Sequence, residues 1–126
     1  MKTKSLTFLL ALTFLFLFSG SSVVFADDFQ DGLDAYKRND YKKAYKLWLP
    51  LAEQGIAQAQ YTLGVMYVIG KGVPQDYVLA HMWFNLSSSN GVKNGTEGRN
   101  MAEKKMSPSQ IEKAQEMARN WKPTSK

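Results

Sequence analysis

From residue 27 onward, polar breaks separate apolar stripes whose spacing predicts helix after helix. In the central run from Gly55 to Trp83, Ala59, Leu63, Met66 and Gly70 recur every three or four residues, which places them on one helical face. A turn of Gly70, Lys71, Gly72, Val73 and Pro74 follows, and a second helix opens near Asp76. This is an αα-hairpin. Upstream, Phe29, Gly32, Leu33 and Tyr36 form the stripe of a helix over 27–38, with Gly32 allowing a neighbour to come close. Asn39 and Asp40 break it, and Asp40 is a good N-cap for a helix over 41–54 that turns Ala44, Leu47, Trp48, Leu51 and Ala52 inward. Pro50 lies inside that helix and is expected to kink it or remove a backbone bond, at up to ~3 kcal/mol. Gly55 is expected in the left-handed conformation that ends it. The hairpin helices are expected over Ala57 to Ile69 and Asp76 to Ser88, the latter closing at Gly91.

Beyond Asn90 the pattern weakens. The polar, Gly-rich run from Asn90 to Gly98 reads as a loop, followed by a weakly apolar helix over 98–106 with Met101, Ala102 and Met106 inward. A clearer start comes at Ser107, with Pro108 behind it and Gln110 three residues on, the pattern of a capping box. Ile111, Ala114, Met117, Ala118 and Trp121 then make a stripe that ends before Pro123.

The hairpin is preceded by a partial copy of itself. Asp40 and Tyr41 return as Asp76 and Tyr77, Ala44 as Ala80, Leu47 and Trp48 as Trp83 and Phe84, and Gly55 as Gly91, all at an offset of 36 residues. One offset kept by six positions indicates a helical repeat array. The run AQYTLGVMYVIGKGVPQDYVLAHMWF resembles the Sel1-like repeat, a relative of the tetratricopeptide repeat. The resemblance is strong from Asp40 to Gly91 and looser from Phe29 to Trp121, and Met106 to Ala114 is similar to the terminal cap of many such proteins. It implies an all-α fold: a short right-handed α-solenoid of antiparallel helix hairpins, about two and a half repeats long. It also implies an adaptor that binds another protein or a peptide, since the family shares no catalytic motif.

The first residues follow a different logic. Lys2 and Lys4 precede an apolar run from Leu6 to Phe18, and Val24-Phe25-Ala26 offers small residues at the −3 and −1 positions of a cleavage site. Residues 1–26 are therefore expected to be a secretory signal peptide and 27–126 the repeat domain, acting in the periplasm or outside the cell with no membrane span after cleavage. The leader holds two of the 16 basic residues and none of the 11 acidic ones, so cleavage lowers the net charge from +5 to +3. That charge, with export, argues against nucleic-acid binding. There is no cysteine, so the small domain must rely on helix packing rather than disulfides.

Candidate chemistry is sparse. One histidine, His81, and no cysteine cannot supply a nucleophilic triad, and a metal would have to be held by carboxylates. His81 is expected to be a surface or half-buried helix residue without a role. Gly70 and Gly72 are expected to turn the chain rather than cradle a phosphate, because no Walker lysine follows. No catalytic residue, cofactor or metal is expected. Tyr41, Trp48, Tyr61, Tyr67, Tyr77 and Trp83 stand at repeat positions and are assigned to the core. Gln58, Thr62, Val65 and Ile69 remain as a stripe of the third helix directed away from Ala59, Leu63 and Met66. With Val65 and Ile69 apolar where a solvated face would be polar, these four are the candidate partner-binding residues. Two alternatives stand beside the adaptor: a small cell-wall-associated or β-lactam-binding hydrolase, and a protein that self-associates by stacking its exposed ends.

Overall fold

The computed structural model describes residues 24–124, so the lysines and apolar run of the expected leader lie outside the described residues. Six helices follow one another: α1 (24–37), α2 (Tyr41–Glu53), α3 (Ala57–Ile69), α4 (Tyr77–Ser89), α5 (Asn94–Glu103) and α6 (Pro108–Asn120). Among the described residues all regular structure is helical, and the chain forms an all-α repeat solenoid. Helices α2, α3 and α4 each pack on the next, while α3 also meets α5 and α4 also meets α6, so alternate helices form two layers.

The 36-residue offset is visible as repeated local chemistry. Asp40 and Asp76 both cap helices, accepting the backbone N–H of Lys43 at 3.3 Å and of Leu79 at 3.0 Å. Gly55 and Gly91 both adopt positive φ, at 96° and 108°. At each, the next two N–H groups close paired bonds onto the helix just ended: Gly55 to Ala52 and Ile56 to Leu51, then Gly91 to Ser88 and Val92 to Ser87. This Schellman arrangement satisfies carbonyls that the helix end would leave bare. Asn39, at φ 65°, ends α1 in the same way, which the sequence did not disclose. Ala44 and Ala80 are fully buried, and Trp48 and Phe84 fill equivalent core places.

Those two large rings rest on glycines. A Cβ on Gly32 would collide with the Trp48 indole, whose Nε1 donates to the Phe29 carbonyl at 3.1 Å. A Cβ on Gly64 or on Gly98 would stand 2.7 Å from the Phe84 ring, so that ring is sandwiched between α3 and α5. Gln60, fully buried, joins three helices by donating to the Ala52 carbonyl at 3.1 Å and accepting from Asn90 at 3.0 Å.

Pro50 behaves as expected, while other expectations are corrected. Helix α2 runs through Pro50; that residue and Lys46, whose carbonyl loses its partner, are both exposed, so water can satisfy the freed group. Leu47 is only half-buried, and Leu51 and Trp48 carry the contact instead. The run after Asn90 is a loop only as far as Lys93, because α5 starts at Asn94 rather than Gly98. It buries Gly95, Gly98 and Ala102, whereas Met101 is 56% exposed and Met106 half-buried. The capping box of α6 is formed as expected, with Gln110 N–H donating to Ser107 Oγ at 3.2 Å and Ser107 N–H to Gln110 Oε1 at 2.8 Å. Trp121 packs edge-on against Trp83, and the N–H of Thr124 donates to the Glu53 carbonyl at 2.8 Å, pinning the C-terminal end over α2.

A candidate protein-binding groove

Helix α3 contains no charged residue. Its buried side holds Ala59, Leu63 and Met66, and its other side remains largely apolar as well, with Tyr61, Val65, Val68 and Ile69. That second side lies between α1 and α5 and divides two hollows. The one toward α5 has a volume of about 320 Å³, with Phe84 and Gly98 at its base and Ile69 and Met101 among its walls. The one toward α1 has a volume of about 210 Å³ and is lined by Leu33, Tyr36, Trp48 and Thr62. Both hollows are also lined by Tyr61 and Val65, so they form one trough with a shared central ridge.

Glycine packing shapes the trough. Because Gly64 and Gly98 admit the Phe84 ring from either side, α5 sits close to α4 and its outward residues, Glu97 and Met101, become a wall of the larger hollow. Met101 at 56% and Ile69 at 46% exposure are thus large apolar side chains in contact with solvent on the walls of a single hollow. Their exposure costs solvation free energy that burial against a partner would recover, roughly 1.5–3 kcal/mol for a fully covered side chain.

The four residues expected to bind a partner divide as follows. Val65 lines both hollows, Thr62 the smaller and Ile69 the larger, while Gln58 is exposed and lines neither. The Thr62 hydroxyl donates to the Ala59 carbonyl at 2.8 Å within its own helix. Tyr61, assigned above to the core, is half-buried and lines both hollows. It stands four residues before Val65, a spacing that could have placed it on the same stripe had its repeat position not suggested packing. Tyr41 and Tyr77 are also only half-buried. Glu97 was missed because the start of α5 was misplaced, and Met101 because its apolar side chain was assigned to the inward face of that helix.

His81 is fully buried, contrary to the surface or half-buried placement expected. Its Nε2 donates to Glu103 Oε1 at 2.8 Å, joining α4 to α5, while Nδ1 has no partner. With a carboxylate as its hydrogen-bond partner, the imidazole acts as a tie between helices. The turn glycines are also occupied structurally. Gly70 N–H donates to the Met66 carbonyl at 2.7 Å, Gly72 lies against the Tyr41 backbone, and Lys71 Nζ sits 4.9 Å from the Tyr41 ring centroid.

With this geometry in view, the likeness to known proteins has a physical reading. The Sel1 repeat family profile matches residues 29–56 and 57–92, more than half the chain, with a boundary between the matches at the Gly55 turn. No curated protein matches the chain. Among solved structures, it is similar to c5321, described as a protective antigen present in uropathogenic Escherichia coli strains displaying an SLR fold, with 34% sequence identity and a TM-score of 0.70. The likeness covers 77% of this chain and 22% of that one, so this chain spans about a fifth of its neighbour's length. The repeated caps, the glycine-seated rings and these matches agree: the chain belongs to the Sel1 repeat family and is a helical repeat protein.

Proposed function

We propose that this protein is an exported, non-catalytic adaptor that holds a segment of another protein, or a peptide, in the trough across α3. The observation that carries the reading is the sharing of Tyr61 and Val65 by two apolar hollows, with Ile69 and Met101 exposed on the walls of the larger. Continuous apolar surface of this kind favours a partner over water. Export is supported by Lys2, Lys4 and the apolar run from Leu6 to Phe18, and the place of action is the periplasm or the cell exterior. Cleavage after Ala26 would start the mature chain three residues into α1, with Asp27 and Asp28 in its first turn, where acidic side chains complement the helix dipole. No helix among the described residues is long and apolar enough to cross a membrane.

The test is a crosslinking capture from the cell envelope with the purified protein as bait, beside the Val65→Glu and Ile69→Glu variants. A defined partner lost in both variants, with helical circular dichroism unchanged, supports the reading. Capture that is indifferent to both substitutions removes the trough from the account.

A further inference from the structure

We infer that the occupant of the trough is a basic amphipathic helix, which places two apolar residues seven positions apart in the two hollows and a Lys or Arg opposite Glu97. The inference rests on the adaptor reading and adds the chemistry of the partner.

Spacing comes first. The hollows lie on either side of α3, and packed helices run roughly 8–10 Å apart, so the centres of the hollows are separated by about that distance. Seven residues of a helix advance about 10.5 Å, which brings residues i and i+7 of a crossing helix over the two hollows. An extended peptide reaches the same span in three residues but brings bare backbone N–H and C=O groups with it. The walls offer those groups little. Besides Glu97, the polar side chains lining the hollows are Asn94, the Tyr36 and Tyr61 phenols and Thr62, whose hydroxyl is already engaged. A helix satisfies its own backbone and asks only for apolar contact.

Charge decides the sign of the partner. Glu97 is the one charged side chain on the walls of either hollow, is exposed, and has no ion-pair partner among the described residues. The helices that flank the hollows share that sign in their composition. The trough helices α1, α3 and α5 carry six acidic side chains (Asp27, Asp28, Asp31, Asp34, Glu97, Glu103) against two basic ones (Lys37, Arg99). The rest of the described chain has the opposite balance, with five acidic residues against eleven basic ones. With Glu97 on the wall and an excess of acidic residues on the flanking helices of a chain that is otherwise basic, the trough favours a cationic segment over an anionic one. Among the described residues a second copy of the chain offers no basic helix with its main apolar face free, since Trp48 and Leu51 of α2 and Met117 and Ala118 of α6 already pack in the core.

The experiment uses fluorescence anisotropy with two labelled helical peptides of identical leucine pattern, one carrying lysine and the other glutamate at its remaining positions. The purified protein is expected to bind the lysine peptide about tenfold more tightly, with the preference shrinking in high salt. Glu97→Lys is expected to narrow that preference, and Met101→Glu, at an exposed position that leaves the fold intact, to weaken binding of the lysine peptide. Moving the second leucine from i+7 to i+5 should cost affinity as well. Equal or tighter binding of the glutamate peptide, sensitive to Met101→Glu, would overturn the basic partner while leaving the trough as a binding site. Binding of the lysine peptide that ignores Met101→Glu and the leucine spacing would overturn both. Failure of both peptides to bind would overturn the inference alone, the adaptor reading being judged by envelope capture.

Discussion

The hairpins from α1 to α4 and the closing pair α5 and α6 are packed by different means. In the first region the interior is filled by large side chains: Trp48, Leu63, Met66 and Phe84 are each at most 2% exposed. In the second the buried residues are Gly95, Gly98, Ala102 and Ala114, and contact is made by bringing backbones together. Large interior residues hold the repeats in register. Small ones let α5 lie close against α4, and its larger residues are left outside. Met101 and Glu97 are consequently free to form a wall of the trough. The binding side is thus a consequence of how α5 is packed, and a helix with bulky knobs in its place would have spent those positions on the core.

The strongest way to break this contrast is to remove the ring both regions use. Phe84→Ala should destabilise the fold by about 3–5 kcal/mol, because the ring contacts Gly64 on α3 and Gly98 on α5 and both contacts collapse together. Chemical denaturation measures it, and a loss near 1 kcal/mol would mean the two regions are not joined through Phe84.

Gly95→Ala probes the closing pair alone. A Cβ there would stand 2.6 Å from the Phe84 carbonyl oxygen and 2.8 Å from the Ser88 nitrogen, both backbone atoms that cannot turn aside. The expected loss is about 1–3 kcal/mol, concentrated in α5. Hydrogen exchange should show α5 amides losing protection while those of α2 keep theirs; uniform loss would contradict the division.

The repeated caps give a smaller and sharper comparison. Asp40→Ala and Asp76→Ala should each cost about 1 kcal/mol, since both carboxylates accept the N–H three residues on. Thermal melts of the two variants should nearly coincide, and a large gap would show that equal sequence offset does not mean equal work.

The smallest effect is one of pH. Burial first, and then the hydroxyl of Tyr45 at 2.9 Å, hold the Tyr67 phenol protonated above its ordinary range near ~10. The folded chain thus keeps this proton more tightly than the unfolded chain does. The contribution is complete below about pH 10 and is lost as pH rises beyond it. Tyr67→Phe should flatten the fall of the melting temperature above about pH 10 relative to wild type, and an unchanged slope would rule this phenol out as its source.

What the sequence disclosed follows the same division. Asp40, Gly55, Asp76, Gly91 and the Ser107–Gln110 box were legible because caps and turns depend on residues within a few positions of one another. The core of α2 to α4 was legible because large apolar residues repeat. The start of α5 was not, since glycine packing leaves no hydrophobic periodicity and Asn94-Gly95 resembles a turn. His81 and Gln60 were misjudged or overlooked for a different reason: the partners that allow their burial, Glu103 and Asn90, lie 22 and 30 residues away. Of the trough, Val65 and Ile69 stood out as apolar residues where polar ones were due. Tyr61 was hidden by its repeat position, and Met101 by an apolar side chain that was assigned to the core.

The central claim is that a partner segment occupies the trough across α3, and photocrosslinking in intact cells tests it most directly. A photoreactive residue placed at position 65 or 101 should give a crosslinked species of one defined mass, while the same residue at exposed Lys46 on α2 should give none. Crosslinks at position 46 with silence at 65 and 101 would put the partner on the other face and contradict the account.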